Sequence, residues 1–168
     1  MRAAILFAAV FAVLALPAQA SADELLTRLD GRWTGSGWSQ ATADAARDVL
    51  RCKLAITLSA SRDRADIRGK CATPGKSYDM RSFIARQSDG SYSGQWSNPG
   101  GEGAANLTGT RSGDRLVMRY DGRHPDTKRR IAGTMTWRIG TDSISLSNTV
   151  TDIAGAQTWK AGEMTFGR

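Results

Sequence analysis

The feature that most constrains the fold is an alternation of apolar and polar residues that runs through most of the chain. In "LRCKLAITL", residues 50–58, the apolar side chains fall on even numbers, whereas in "ADIRGKC", residues 65–71, they fall on odd numbers. Because successive side chains of a β-strand point to opposite faces, each run predicts a strand with one buried face. A turn at Ser61-Arg62 places the apolar positions of the two runs opposite one another, which predicts an antiparallel hairpin.

The two cysteines of the chain fall opposite each other in this hairpin. With that turn, Ile56 faces Ile67 and Cys52 faces Cys71. The sequence therefore predicts a Cys52–Cys71 disulfide that joins the two strands of one hairpin. A redox-active pair is the alternative, but the two cysteines lack the C-x-x-C spacing of such sites.

The same alternation continues to the end of the chain. Each further turn puts apolar residues on one face and polar residues on the other, so the chain is predicted to be a meander of adjacent antiparallel strands. The predicted pairs are Phe83 with Trp96 around Asp89-Gly90, Leu107 with Met118 and Ala105 with Tyr120 around Ser112-Gly113, Met135 with Leu146 and Trp137 with Ile144 around Gly140-Thr141, and Trp159 with Met164 around Ala161-Gly162.

One short helix precedes the strands. In "ADELLTRL", residues 22–29, three leucines lie at helical spacing before Asp30-Gly31 ends the turn. A long antiparallel meander leaves unpaired edges unless it closes on itself. We therefore predict an all-β fold, an up-and-down antiparallel β-barrel of about 8–10 strands with a short N-terminal helix. A sandwich of two sheets is the alternative.

Residues 1–20 have the composition of an export signal. Arg2 precedes an uncharged apolar run over residues 3–16, Pro17 interrupts that run, and residues 18–20 form an A-x-A cleavage site before Ser21. We predict that residues 1–20 are a cleaved signal peptide, since the run is too short to span a bilayer. Residues 21–168 are predicted to be a single barrel domain without a transmembrane segment, periplasmic or secreted. A short amphipathic anchor that stays attached is the alternative.

The segment "LDGRWTGSG", residues 29–37, opens the predicted β region. It matches neither the G-x-G-x-x-G nor the Walker pattern, so a phosphate-binding loop is not indicated. Gly31, Gly35 and Gly37 instead suit a first strand that bends strongly and admits close backbone approach as the barrel closes.

A short helical turn, then Gly31-x-Trp33 at the start of the first strand, then an antiparallel meander, resembles the calycin superfamily. This superfamily holds the lipocalins, the fatty-acid-binding proteins and the haem-binding nitrobindin-like barrels. The resemblance implies a barrel with a cavity for a small molecule and with Trp33 packed across its closed base. It also implies an arginine that reaches this tryptophan, for which Arg119 and Arg138 are the candidates.

The inward positions of the predicted strands mix bulky side chains with very small ones such as Gly109 and Gly133. Small residues beside aromatic ones leave room for a ligand, whereas simple interdigitation of large and small residues would give a filled core. Methionine favours the first reading because its flexible side chain adapts to variable apolar ligands. We expect a small apolar or amphipathic ligand to contact seven inward side chains: Phe83, Trp96, Met118, Tyr120, Met135, Trp137 and Trp159.

No group of residues in the sequence specifies a catalytic reaction. His124 is the single histidine, which excludes a metal site built from several histidines. The charged sequence around it predicts an exposed loop, and Glu102 is an isolated acid in a glycine-rich segment. We predict a binding protein without catalytic activity, metal or cofactor. The alternatives are haem ligation by His124, which the resemblance allows, and an enzyme that uses His124 or Glu102.

Basic residues are in excess, with 23 Lys and Arg against 16 Asp and Glu and a net charge of +7. In the cysteine hairpin, Lys53 opposes Lys70 on the outward face, with Arg51 and Arg68 nearby, and residues 123–130 hold a second cluster. These charges indicate either a solvated surface or a site for an anionic envelope component such as lipid or polysaccharide. The alternative function is therefore an envelope- or protein-binding module, for example a protease-inhibiting barrel. Nucleic acid is not expected, because the aromatic residues that would stack on bases are assigned to the interior.

Overall fold

The computed structural model describes residues 23–97, 104–124 and 127–168. The predicted signal peptide, residues 1–20, and Glu102 lie outside the described residues. Within them, one helix is followed by ten strands. These elements are α1 (Glu24–Leu29), β1 (Gly31–Ser39), β2 (Asp48–Leu58), β3 (Arg64–Thr73), β4 (Lys76–Arg86), β5 (Tyr92–Ser97), β6 (Ala104–Ser112), β7 (Arg115–Arg123), β8 (Arg130–Ile139), β9 (Ser143–Asp152) and β10 (Gln157–Gly167).

The strands form one closed antiparallel barrel in which each strand pairs with its neighbours in the chain and β1 pairs with β10. This confirms the predicted all-β, up-and-down barrel with a short N-terminal helix, and a sandwich of two sheets is wrong. Closure gives hydrogen-bond partners to the backbone N–H and C=O groups of the first and last strands. In an open sheet these strands would be unpaired edges. We call the end covered by α1 the closed end and the opposite end, where β1 finishes, the open end.

The cysteine hairpin has the predicted register. Ile56 pairs with Ile67, Cys52 pairs with Cys71, and the two cysteines form a disulfide with their Cα atoms 4.0 Å apart. Both cysteines are buried. The predicted disulfide is therefore confirmed, and it lies on the inward face of the hairpin.

The turn between β4 and β5 is longer than predicted. The amide of Gln87 donates to the carbonyl of Ser91, so the loop has three residues that end at Gly90 with φ 84°, instead of the two-residue turn Asp89-Gly90. Phe83 consequently pairs with Gln95 rather than Trp96. A shift of one residue reverses the face of a strand, so the predicted inward orientation of Phe83 is wrong.

The outward Phe83 is covered by the guanidinium of Arg64, whose Cζ lies 3.8 Å from the ring centre. Ile84 takes the inward position and is fully buried. An aromatic ring has a large apolar surface, so sequence alternation predicts Phe83 rather than Ile84 at the inward position. The guanidinium above the ring stabilises Phe83 at the outer surface instead.

Two later hairpins are shifted by two residues from the predicted pairing. Met118 pairs with Gly109 instead of Leu107, and Trp137 pairs with Leu146 instead of Ile144. The turns lie one residue further along the chain, at residues 113–114 and 141–142. Because a strand repeats its orientation every two residues, these errors leave each side chain on the predicted face.

The predicted turn at Ala161-Gly162 does not exist. Strand β10 continues through this position with a register irregularity between Lys160 and Gly162. Trp159 pairs with Val150 on the preceding strand, and Met164 with Leu146. The dipeptide therefore bends one strand, as a β-bulge does, instead of reversing the chain.

Trp33 fills the closed end, as the resemblance implies. It is almost fully buried, and its Nε1 donates to the carbonyl oxygen of Leu29 over 2.7 Å. The arginine over its ring is Arg168, with Cζ 4.5 Å from the ring centre. Arg119 and Arg138 are exposed on the outer surface, so both candidates for this role are wrong.

Asp23 attaches α1 to the barrel wall. Its Oδ1 accepts the amides of Leu25 and Leu26 over 2.8 and 3.2 Å, which is an N-terminal helix cap. Its other oxygen accepts the hydroxyl of Tyr92 on β5, and Arg111 Nη1 of β6 lies 3.3 Å from Oδ1. The side chain of Asp23 is only 2% exposed, so these partners stabilise a buried carboxylate.

At two inward positions the chain needs a glycine because neighbouring residues occupy the space that a Cβ atom would fill. A Cβ on Gly133 would overlap the ring of Tyr120, and a Cβ on Gly109 would overlap the carbonyl oxygen of Val117 and the sulfur of Met118. The expectation that these glycines leave room for a ligand is therefore wrong. The side chains of Tyr120 and Met118 fold over the glycines of the neighbouring strand.

Gly133→Ala is expected to destabilise the protein by about 1–3 kcal/mol, because its methyl group displaces the Tyr120 ring. Urea unfolding measures the loss. Gly122→Ala is the matched control, since a Cβ there meets no atom within 4 Å. In a Tyr120→Ala background the cost of Gly133→Ala should largely disappear. An equal loss in both backgrounds would contradict this packing.

The Tyr92 hydroxyl should control stability at alkaline pH. Burial, followed by the hydrogen bond to Asp23, raises the pKa of Tyr92 to about 12. Since the unfolded pKa is about 10, stability from the neutral phenol is complete below pH 10 and is lost as pH rises towards 12, by about 2 kcal/mol. Tyr92→Phe should be less stable at pH 8 but lose less stability over this range. Tyr78→Phe is the control, and an unchanged pH profile in Tyr92→Phe would refute the assignment.

Candidate functional site

The open half of the barrel encloses a cavity of about 590 Å³. We call it the barrel cavity. Small-molecule sites in proteins typically have volumes of roughly 300–1,000 Å³, so the barrel cavity is of suitable size. Its apolar lining includes Leu50, Cys52, Cys71, Met80, Trp96, Ala105, Ile131, Met135, Leu146, Val150, Trp159, Met164 and Phe166.

Four of the seven predicted contact residues line the barrel cavity: Trp96, Tyr120, Met135 and Trp159. Met118 and Trp137 point inward but are fully buried in the packed half of the barrel. Trp137 supports the cavity wall from behind, since its ring meets that of Trp96 edge to face with centroids 5.5 Å apart. Phe83, on the outer surface, is not part of this site.

Sequence reasoning missed much of the sulfur-containing wall. Met80 on β4 lines the cavity, and its sulfur lies 3.1 Å from Sγ of Cys71. Met164 and Phe166, which alternation correctly predicts to point inward, also line it from β10. The correct signal for Met80 was the even-numbered apolar series of β4, which the incorrect turn at residues 89–90 concealed. The disulfide, predicted only as a link between strands, is also part of the cavity wall.

A hydrogen-bonded pair supplies polarity inside the cavity. The hydroxyl of Tyr120 donates to Oδ1 of Asn148 over 3.1 Å, and both residues line the cavity. Burial raises the pKa of Tyr120, so its phenol stays protonated through neutral pH. A neutral hydroxyl and amide can fix the polar group of a bound molecule without adding charge.

His124 lies at the cavity mouth, not in an exposed loop, and only 8% of its surface is exposed. The amide of Thr127 donates to Nδ1 over 3.3 Å, and Nε2 lies 3.0 Å from the carbonyl oxygen of Ala41. A carbonyl can only accept, so Nε2 carries the proton and donates. The histidine thereby joins the β7–β8 connection to the β1–β2 connection, and iron ligation through Nε2 would break that link.

Charges of both signs surround the mouth. Asp48, Lys76, Arg123 and Glu163 line it. The hydrogen bond from Lys160 lowers the pKa of Glu163, which keeps that carboxylate ionised at neutral pH. The mouth therefore has no dominant sign of charge that would select an anion or a cation.

The described residues show neither a metal centre nor a membrane-spanning helix. No three His, Cys, Asp or Glu side chains in the described ranges lie close enough together to hold a metal ion. In the same part of the chain, no helix has the length and apolar character needed to cross a membrane.

The outer surface has the predicted basic patch. Lys53 pairs with Lys70 across β2 and β3, and both are exposed, as are Arg51 and Arg68. The second predicted cluster is partly used within the fold, since Arg129 forms an ion pair of 2.8 Å with Asp152.

Comparison with known proteins identifies the fold but no family. No protein-family model and no curated protein matches this chain. The crystal structure of Rv2717c from M. tuberculosis is similar with a TM-score of 0.63 and 13% identity, covering 88% of this chain and 99% of that one. The S-type phycobiliprotein lyase CPES from Guillardia theta is similar with a TM-score of 0.56 and 11% identity, covering 86% and 90%. The chain therefore shares the β-barrel fold of these proteins.

His124→Ala should loosen the cavity mouth. Loss of its hydrogen bond to Ala41 is expected to cost about 1 kcal/mol and to speed amide exchange over residues 40–47, with the closed end unchanged. Hydrogen–deuterium exchange followed by mass spectrometry measures both regions. Arg123→Ala, at the adjacent exposed position, is the control. Equal exchange over residues 40–47 in His124→Ala and the parent would rule out this link.

Proposed function

We propose that this protein is a non-catalytic carrier or sensor that binds one small amphipathic molecule in the barrel cavity. The observation that carries the proposal is a cavity of about 590 Å³ in the open half of the barrel, with apolar walls and polar groups at fixed positions. Concave sites of this size, with mainly apolar walls and a few placed polar groups, are the usual binding sites for small molecules.

The packing of the closed half shows that a ten-stranded circumference does not by itself require a void. There, Trp33 and Trp137 are almost fully buried, and the leucines of α1 cover the end. The open half receives smaller or more weakly buried groups, such as Ala105 and Trp96. The difference between the halves supports a cavity selected for an occupant.

The lining supports an apolar, polarizable ligand body with one uncharged polar group. Aromatic rings and the sulfur atoms of Met80, Met135 and Met164 form favourable contacts with such a body. The Tyr120–Asn148 pair offers hydrogen bonds at a fixed position. In this proposal the cavity binds its ligand without changing it chemically.

We further propose that the barrel is a member of the calycin superfamily and that it works outside the cytoplasm. The Gly31-x-Trp33 motif at the sealed base and the closed meander support the first statement. The Cys52–Cys71 disulfide supports the second, since such bonds persist in oxidising compartments.

Native mass spectrometry of the protein purified from its own cells tests the carrier function. We expect a noncovalent species that is heavier by one small molecule, which is released on unfolding. Ala105→Phe, which projects into the cavity, should weaken binding of a neutral apolar fluorophore such as N-phenylnaphthylamine by about tenfold or more. Cavity binding should depend little on salt.

Ala55→Phe is the matched control, because Ala55 lies on the outer face of β2. It should retain the parental affinity for the fluorophore. The absence of a copurified molecule together with equal fluorophore binding by Ala105→Phe and the parent would overturn the proposed function.

A further inference from the structure

Five basic side chains project outward from three adjacent strands: Arg51 and Lys53 on β2, Arg68 and Lys70 on β3, and Arg81 on β4. We call these residues the basic wall. All five are exposed. They alternate with inward residues, so they share one side of the barrel.

The arrangement of the basic wall is unfavourable for folding. Lys53 pairs directly with Lys70, and Arg68 directly with Arg81. Like charges directly opposite each other across strands destabilise a sheet. Among the described residues, Lys70 is the one member of the basic wall that forms an ion pair. Its partner is Asp79 at 4.0 Å, and the side chains of Lys70 and Asp79 are both more than 70% exposed. Such an exposed pair contributes little, so fold stability does not account for the wall.

An apolar edge borders the basic wall at the open end of the barrel. Val49 precedes Arg51 by two residues, on the same outward face of β2, and is 55% exposed. Across the strand pair it meets Trp38, which is half-buried and lies under the guanidinium of Arg47 at 3.9 Å. Within the described residues, Val49 and Ile153 are the exposed large hydrophobic residues, and both lie towards the open end.

We propose that the basic wall and the Trp38–Val49 edge dock the protein on an anionic lipid surface. Lys and Arg near a membrane are attracted to anionic headgroups, while tryptophan and exposed aliphatic side chains partition into the interface. A soluble polyanion would be recognised by charge alone and would leave the exposed Val49 without a role. The surface adjoins the cavity mouth, which Trp38 also lines. Docking does not depend on whether the cavity holds a ligand.

Cosedimentation with vesicles tests the proposal. Vesicles of phosphatidylcholine with about one third phosphatidylglycerol should bind the protein at about 0.1 M salt, pure phosphatidylcholine much less, and added salt should weaken binding. The wall variant combines Arg51→Gln, Lys53→Gln, Arg68→Gln and Lys70→Gln. It should lose vesicle affinity by about tenfold or more.

The control variant removes the same charge from exposed positions of β7 and β8, on another side of the barrel. It should lose less than about threefold, which reflects net charge alone. The substitutions leave residues 1–20 unchanged. Any vesicle binding through that apolar segment would therefore be the same in the wall variant, the control variant and the parent. The control combines Arg115→Gln, Arg119→Gln, Arg130→Gln and Arg138→Gln.

Val49→Ser should weaken vesicle binding while leaving binding to dextran sulfate unchanged. The melting temperature of the wall variant should equal or exceed that of the parent. If the melting temperature of the wall variant falls, the double variant Lys53→Gln, Arg68→Gln replaces it in the binding test.

Three outcomes would each overturn the proposal: equal losses of vesicle affinity in the wall and control variants, no binding of the parent to anionic vesicles, or unchanged vesicle binding of Val49→Ser. In the last two cases, wall-dependent binding of dextran sulfate would identify a polyanion site instead.

Discussion

The pairing of β1 with β10 is the interaction on which the rest of the structure depends. It joins the first and last strands over residues 34–39 and 162–167, so that neither remains an unpaired edge. The close approach needs a glycine, because a Cβ on Gly37 would overlap the backbone of Glu163. Closure also brings Arg168 over the ring of Trp33, which places the end of the chain against the sealed base.

A sealed base divides the interior into two parts with different chemistry. The leucines of α1, Trp33 and Trp137 exclude water from one half, and Asp23 holds the helix in place through its bonds to Tyr92 and the backbone. The other half keeps a space with polar groups in its wall, among them the hydrogen-bonded Tyr120–Asn148 pair. Burial in the first half provides the stability that leaves the second half free to remain unfilled.

Residue alternation predicts the strand faces well because it depends only on neighbours in the chain. Register depends on the length of each turn: the extra loop residue before Ser91 turned Phe83 outward, whereas shifts of two residues left Trp137 inward. Contacts between distant segments have no such local signal. The sequence predicts an exposed His124 because the partner of its ring, the carbonyl of Ala41, is 83 residues away in the chain. The role of Gly133 likewise depends on Tyr120 of the adjacent strand.

One hairpin contributes to both proposed activities because its residues alternate between two faces. Inward, Leu50 and the Cys52–Cys71 disulfide line the cavity. Outward, Arg51 and Lys53 belong to the basic wall. The covalent link fixes the register of β2 against β3, and any slip by one residue would exchange the two faces. The disulfide therefore holds Lys53 opposite Lys70 despite their repulsion, so that a charged outer face and an apolar inner face can coexist on the same two strands.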